Sequence, residues 1–239
     1  MNSEYREKRE SILKVFNSYI EIEDSETEFV SPSGLYKLRT SRYGKGKDVV
    51  SWNYSRGIIS NIKTSRTIAG VKRNYGHFWH SWVEHPNGNE YLLCGEDYQG
   101  YSVINLTKEI YQVYFPKEGH QGVGFCWAKV FPSPDKLVLA VDGCYWACPY
   151  EIVFYDFRNP EKLPFDELGR IDTLSESYGW LDNETFSLSQ EIEFRKSDGV
   201  FYKDLSEEEQ QILDSNPDLY DYKSINVEAK RPPFKNLDE

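Results

Sequence analysis

Two cysteines within a segment rich in aromatic residues are the first candidates for chemistry. Cys144 and Cys148 are separated by three residues in Asp142–Glu151, a spacing that zinc sites use. A metal ion would need further ligands, for which His77, His80 and His120 are the candidates. Because the chain has no second closely spaced cysteine pair, the competing interpretation is that both thiols are small buried side chains that shape a loop. We favour that interpretation and predict neither a metal nor a cofactor.

Nucleophilic catalysis is a second chemistry that these residue types allow. A thiol of Cys144 or Cys148 paired with His120 would form a cysteine–histidine nucleophile. No local motif accompanies these residues. The glycine loops of nucleotide sites, the zincin motif and the hydrolase elbow are also missing from the sequence. The sequence therefore names no reaction.

Carboxylates and tryptophans raise a third possibility, acid–base chemistry on a carbohydrate. Glu96, Asp97 and Asp142 could supply the acid and the base. The tryptophans that could stack on sugar rings are Trp79, Trp82, Trp127 and Trp146. Packing between sheets is the favoured role for the tryptophans that lie in strands, and the carboxylates of Glu96 and Asp97 can equally cap a turn.

Composition and charge limit the kinds of partner. Of the 239 residues, 39% are hydrophobic and 15% aromatic, which favours a folded, strand-rich chain. The net charge of −11 is concentrated at the ends, with 8 acids and 4 bases in residues 1–28 and 10 acids and 4 bases in residues 204–239. Since nucleic-acid binding needs a basic surface and no apolar run is long enough to cross a bilayer, we expect neither nucleic acid nor a membrane as partner.

Four turns of related sequence recur along the chain, and they indicate which strands and loops position the candidate residues. They are Ser31–Gly34, His85–Gly88, Ser133–Lys136 and Leu181–Glu184. In the first three, proline presets φ at the first turn position and a small polar residue follows it. The turns recur roughly every 50 residues, which predicts a repeated structural unit.

The segments around the two central turns predict four antiparallel strands in each unit, in the pattern of a β-meander. The predicted strands are Phe78–Val83, Tyr91–Cys94, Tyr101–Leu106 and Tyr111–Phe115, then Phe125–Val130, Leu137–Val141, Glu151–Phe157 and Leu168–Asp172. Because side chains alternate along a strand, Trp79 and Trp82 are predicted to face opposite sides, and so are the rings of His77 and His80.

Phe131–Ala140, followed by Val153–Phe157, resembles a blade of the WD40 family of β-propellers. Tyr155 and Asp156 stand where that family has Trp-Asp, and the family's Gly-His pair is missing. The resemblance covers residues 29–203. It implies a mostly β fold of repeated antiparallel meanders, either a small four- or five-bladed propeller or an incomplete, propeller-like stack closed by the terminal helices. The alternative is a β-sandwich that uses similar hairpins.

The resemblance also implies which loops share one face of the fold. In propellers, the loop between the second and third strands of a blade lies beside the connectors between successive blades. This places Gly95–Gly100 and Asp142–Pro149 with the connectors around Asn74–His77 and Glu118–Gly124. The residues predicted to bind on this loop face are Glu96, Asp97, Tyr98, His77, His120, Asp142, Tyr145 and Trp146.

Helices are predicted at both ends. Apolar residues at spacings of three and four predict an amphipathic helix over Ser3–Ile22. Ser206–Glu209 form a capping box that begins a second helix, which ends by Ser215 because Pro217 disfavours helix before it. The prolines 232 and 233 predict an extended tail.

The chain therefore divides into an N-terminal helix (1–28), a meander body (29–203) and an acidic C-terminal helix and tail (204–239). We predict a non-catalytic interaction module whose loop face binds a protein partner. The alternative is a small-molecule enzyme or ligand sensor on the same face, hydrolase-like and with or without a metal. A charged N-terminus without an apolar signal segment favours a cytoplasmic protein.

Overall fold

The computed structural model describes residues 3–45, 53–117, 119, 123–146 and 148–235 of the chain. Its elements, in chain order, are α1 (Ser3–Phe16), β1 (Ile20–Glu21), β2 (Thr27–Val30), β3 (Tyr36–Gly44), β4 (Tyr54–Asn61), β5 (Thr67–Arg73), β6 (Ser81–Glu84), β7 (Glu90–Cys94), β8 (Tyr101–Asn105), β9 (Ile110–Tyr114), β10 (Phe125–Pro132), β11 (Val138–Tyr145), β12 (Tyr150–Asp156), β13 (Glu167–Trp180), β14 (Thr185–Arg195), α2 (Glu207–Asp214) and β15 (Tyr220–Lys230).

The predicted repeat is confirmed as four antiparallel meanders. The four related turns join β2 to β3, β6 to β7, β10 to β11 and β13 to β14. The first sheet contains β1–β5 and the second β6–β9, whereas β10–β15 form one continuous sheet of six strands. β13 is long because its first half pairs with β12 and its second half with β14. The third and fourth meanders therefore share β13.

The turns repeat in chemistry as well as in position. The hydroxyl Oγ of Ser31 accepts the N–H of Tyr36 at 3.2 Å, and Ser133 Oγ accepts the N–H of Val138 at 3.0 Å. Each hydroxyl thus closes its turn onto the strand that follows it, a role that suits the short polar side chain of serine.

His85 occupies the same place in the second turn. Its Nδ1 accepts the N–H of Asn87 at 3.2 Å, so Nε2 is the ring nitrogen that is left to donate. Nε2 then donates to the carbonyl oxygen of Phe157 at 3.0 Å, at the end of β12. The histidine therefore ties the second meander to the third.

The core lies on both faces of the second sheet. Leu92 and Ile104 face the first sheet, while Leu93 and Val103 face the third, as strand alternation requires. All four are buried, and each buried side chain of this size contributes roughly 1.5–3 kcal/mol of hydrophobic stabilisation. Three sheets stacked face to face in this way form a propeller-like fold.

The predicted opposition of Trp79 and Trp82 is confirmed. Trp79 lies in the core shared with the third sheet, whereas Trp82 packs toward the first. Trp127 is also buried in the core, so Trp79 and Trp127 take the packing role that was favoured for them.

A third core lies on the other face of β11 and β12. Ala140 and Phe154 pack there against Phe186 and Leu188 of β14. The pairing of β13 with β14 is interrupted by two register shifts. Gly179 lies at one of them and has φ +112°, a conformation in which residues with side chains are strained.

The two ends differ in part from their prediction. The capping box of α2 is confirmed, with reciprocal bonds between Ser206 and Glu209. The first helix ends at Phe16 rather than at residue 22, because Ile20–Glu21 pair with the end of β3. The predicted tail is preceded by an 11-residue strand, Tyr220–Lys230, that pairs along the whole of β14. No helix within the described ranges is long and apolar enough to cross a membrane.

Candidate functional site

Three of the four loops that were predicted to share a face lie together in the structure, and the fourth, Glu118–Gly124, lies mostly outside the described residues. The Asn74 amide donates to Asp97 Oδ2 at 2.5 Å and accepts the N–H of Tyr98 at 3.0 Å. The ring of Tyr98 lies 5.4 Å from that of Trp146, which belongs to the next meander. Hydrogen bonds thus join the connector after β5 to the β7–β8 loop, and a contact between aromatic rings joins that loop to the β11–β12 turn.

A buried guanidinium fixes the backbone of this loop face. Arg73 Nε donates to the carbonyl of His77 at 3.0 Å, and Nη1 donates to the carbonyls of Gly95 and Asp97, also at 3.0 Å. Burial lowers the pKa of Arg73 to about 10, partly offset by the Asp97 carboxylate, so Arg73 stays charged at neutral pH. A buried charge needs such a set of acceptors, and here the acceptors are the loops themselves.

The two acidic residues of the β7–β8 loop make their contacts within the chain. Glu96 accepts bonds from Arg9 Nη2 at 2.8 Å and from the Tyr111 hydroxyl, which joins α1 to the second sheet. Asp97 Oδ1 accepts the N–H of Gln99 at 2.9 Å, the turn-capping role that its residue type allows. Both are buried, and a part in ligand binding stays a prediction for them.

Asp142 lies in a strand, not in the loop where the sequence analysis placed it. β11 continues to Tyr145 because Asp142 and the next two residues still pair with β12, with Asp142 opposite Ile152. Its Oδ2 accepts the Ser177 hydroxyl at 2.6 Å, and Oδ1 has no hydrogen-bond partner among the described residues. Burial raises the pKa of this carboxyl.

The cysteines and histidines are arranged differently from a metal site. Cys144 lies opposite Cys126 in the β10–β11 register, and Cys148 is exposed in the turn beyond it. His120 lies outside the described residues. Within the described ranges, no three histidine, cysteine or acidic side chains are placed to hold a metal ion, so His77 does not complete a site with the cysteines. Burial raises the pKa of the Cys144 thiol, which lowers its thiolate fraction.

Exposed aromatic rings are the distinctive feature of the loop face. Trp146 is 52% exposed, Tyr150 47% and Tyr75 39%, and Tyr98 is half-buried against Trp146. Tyr75 and Tyr150 lie close enough to interact electrostatically. We call these four residues the aromatic patch. Tyr145, also predicted here, is half-buried, with its ring 5.4 Å from that of Phe125.

Two members of the aromatic patch escaped the sequence analysis. Tyr75 lies inside the predicted connector Asn74–His77 but was not predicted to bind. The connector contacts the β7–β8 loop, and this contact places Tyr75 on the loop face. Tyr150 lies on the loop face because the register of β12 places it opposite Cys144 at the end of β11. The predicted separation of the His77 and His80 rings stays a prediction. The segment before Ser81 is not a strand, so strand alternation does not apply to it, and both residues line one groove.

Fold and site together define a mostly β protein in which propeller-like, stacked meanders carry an aromatic loop face. No family model matches the chain. The chain is 33% identical over 192 residues to the uncharacterized protein R762 of Acanthamoeba polyphaga mimivirus, covering 75% of this chain and 74% of that protein. The chain belongs to the same family as R762.

This chain spans about half the length of each of two solved structures that have a similar fold. One is the β-propeller domain of Cps50 (Swd1) from Myceliophteria thermophila, with a TM-score of 0.42 and 12% identity over 74% of this chain and 53% of that one. The other is the hydrazine synthase of Kuenenia stuttgartiensis, with a TM-score of 0.38 and 13% identity over 68% of this chain and 54% of that one.

Proposed function

We propose that this chain is a non-catalytic interaction module whose aromatic patch binds a protein partner. The observation that carries the proposal is the exposure of Trp146 and Tyr150 beside Tyr75 on one face. Tryptophan and tyrosine are enriched among the residues that supply most of the energy of protein interfaces, because large rings bury much area at a small cost in side-chain entropy.

The support beneath the patch favours the same function. Arg73, Asn74 and Asp97 hold the loop backbones through buried hydrogen bonds. Loops that are ordered before binding lose less conformational entropy when a partner docks, so more of the contact energy appears as affinity. A rigid sheet stack with ordered loops is the arrangement that binding surfaces use.

Charge gives the proposed partner a chemical character. The chain carries a net charge of −11, and its excess of acids lies mainly in the two ends. A negative protein attracts a positive surface over about one Debye length, roughly 8 Å at physiological salt. We therefore expect a partner whose contact surface is basic around an apolar centre.

Substitution of the most exposed ring tests the proposal. Tagged wild-type protein, Trp146→Ala and Tyr222→Ala are each used to capture partners from cells that express the protein, and the captured proteins are quantified by mass spectrometry. Tyr222 is the matched control, because it is a ring of similar exposure, 49%, that lies in β15 and not in the loops of this face. A partner that the wild type and Tyr222→Ala retain is then purified, and its Kd is measured calorimetrically.

The expected result is a loss of affinity for Trp146→Ala of about 30-fold, the size of a hot-spot truncation of about 2 kcal/mol, with cooperative melting retained. Equal Kd values for the wild type and Trp146→Ala would remove Trp146 from the binding surface. Loss of cooperative melting would instead assign Trp146 to the core.

The alternative function, a small-molecule enzyme or ligand sensor on this face, needs polar groups that converge. Asp142 bonds to Ser177 inside the sheet, and Glu96 and Asp97 bond within the chain. The described part of the loop face therefore offers no observation in favour of this alternative.

A further inference from the structure

A groove of about 560 Å³ lies between strands of the first sheet, the segment before β6, and β10. Its walls include Thr27 of β2, the segment His77–His80 before β6, and Lys129 of β10. Arg42 of β3 completes the wall on the side of the first sheet. We call this space the central groove. Its volume falls within the range of small-molecule sites.

The charged side chains that line the central groove are all basic within the described residues. Arg42 and Lys129 line it, and no acidic side chain of the described residues does, although the chain holds 39 acidic residues against 28 basic ones. Neither cation forms an ion pair within the described ranges. Most other described arginines do pair with carboxylates, namely Arg9, Arg39, Arg66, Arg158, Arg170, Arg195 and Arg231.

One carboxylate, that of Asp142, interacts electrostatically with Lys129 without lining the groove. Asp142 lies opposite Lys129 in the β10–β11 register, and Lys129 lowers its pKa in opposition to burial. Asp142 is 5% exposed, bonds to Ser177 and does not line the groove. The charge of Lys129 is therefore available to a ligand in the groove.

Imidazole and aromatic rings complete the walls. Burial lowers the pKa values of both His77 and His80, with Arg73 adding to the effect on His77, and so favours their neutral forms. A neutral imidazole still has one N–H to donate. Phe29 packs on the His80 ring at 4.3 Å, and Phe78 lies in the same wall, so apolar surface stands beside the cations.

We infer that the central groove binds a small organic anion, whose charged group meets Arg42 and Lys129 and whose apolar part packs against the aromatic wall. Guanidinium and ammonium groups bind phosphate and carboxylate oxygens in charge-assisted hydrogen bonds. The inference is independent of the proposed protein partner, because the members of the aromatic patch do not line the groove.

Calorimetric titration with three probes tests the inference. Phenyl phosphate supplies an anion and a ring, inorganic phosphate the anion alone, and benzyl alcohol the ring alone. Phenyl phosphate is expected to bind with a Kd below about 1 mM at low salt, more tightly than inorganic phosphate, while benzyl alcohol shows no binding. Raising the salt to about 0.5 M should weaken binding at least several-fold, since exposed charges are screened.

Matched variants locate the site. Lys129→Gln and Arg42→Gln are each expected to weaken phenyl phosphate binding at least about fivefold, and Lys129→Arg to retain it. Lys63→Gln, which removes an equal charge outside the groove, and Trp146→Ala should both bind like the wild type. If a variant fails to melt cooperatively, ring-proton shifts of His77 and His80 on titration of the wild type report the same contact.

Three results would overturn the inference. One is the absence of phenyl phosphate binding up to about 10 mM. Another is equal binding by the wild type, Lys129→Gln and Arg42→Gln. The third is binding with no shift of the His77 and His80 rings. Trp146→Ala is expected to bind phenyl phosphate normally. Failure of the anion inference would therefore not contradict the proposed protein partner, and failure of the proposed partner would not contradict the anion inference.

Discussion

At the scale of single residues, the third turn uses a residue type that its place disfavours. Lys136 has φ +60°, the left-handed region, as do Gly34 (+73°) and Gly88 (+82°) at the same place in the first two turns. A side chain in this region costs roughly 1–2 kcal/mol, which glycine avoids. The turn conformation is therefore a property of the repeat rather than of the residue that occupies it.

Lys136→Gly is expected to stabilise the protein by about 0.5–1 kcal/mol, because relief of backbone strain outweighs the extra freedom of glycine in the unfolded chain. Urea unfolding monitored by tryptophan fluorescence measures the change. Lys63→Gly is the control, since Lys63 is not among the residues of positive φ and should lose stability by a similar amount. A less stable Lys136→Gly protein would contradict the equivalence of the three turns.

Residue-level prediction from the sequence succeeded where a pattern has a local cause. The Ser206–Glu209 capping box is such a case, because both partners are close in the chain. Tyr150 and Arg73 are the opposite case. Their roles depend on strand register and on loops from a neighbouring meander, neither of which a local pattern records.

At the scale of elements, β15 is held in place at its end by a buried guanidinium. Arg231 Nη1 donates to Asp135 Oδ2 at 2.6 Å and to the carbonyl of Asn183 at 3.3 Å, and Asn183 Oδ1 accepts the N–H of Asp135 at 2.8 Å. Arg231 is 7% exposed. The last strand is thereby fastened to the third and fourth turns together.

Arg231→Gln and Asp135→Asn are each expected to destabilise the protein, with a double-mutant coupling energy of about 1–3 kcal/mol from urea unfolding. Burial alone would raise the pKa of Asp135, but bonds from Ser133 and Arg231 lower it below 3.8. The stabilisation is therefore present above pH 3.8 and is lost as the pH falls through the folded-state pKa.

Lys223→Gln, in the same strand, is the control and should change stability little, because Lys223 is exposed. Additive effects of Arg231→Gln and Asp135→Asn at pH 7 would contradict the coupling, as would a coupling energy that stays unchanged near pH 2, on the order of two pH units below the ordinary pKa of aspartate.

Element prediction followed the apolar pattern and failed where that pattern ends. The strands of the two central meanders were recognised because their residues are apolar and bounded by turns. β15 was missed because its residues are mostly exposed and its pairing with β14 leaves no apolar run. The extension of β11 through Asp142 was missed for a different reason, because an acidic residue is typical of a loop and Asp142 is buried in a strand.

At the scale of the whole molecule, the four meanders form a stack in which neighbours share cores. Within the described ranges no strand pairing joins the fourth meander to the first. The stack places strands of the first sheet, the segment before β6, and β10 around the central groove, and the loops of two meanders around the aromatic patch. Surfaces of different chemistry thus arise from one repeat, because the central groove and the loop face are formed by different parts of the repeated unit.

Hydrogen–deuterium exchange on the complex tests the central claim that the loop face is the binding surface. The partner recovered through the Trp146-dependent capture is added to the wild type, and amide exchange is compared with that of the free chain. Slower exchange is predicted in 74–77, 95–100 and 143–150, with no change in Tyr220–Lys230. Protection confined to Tyr220–Lys230 or to the outer strands of the first sheet, with the three loop segments unchanged, would contradict the account.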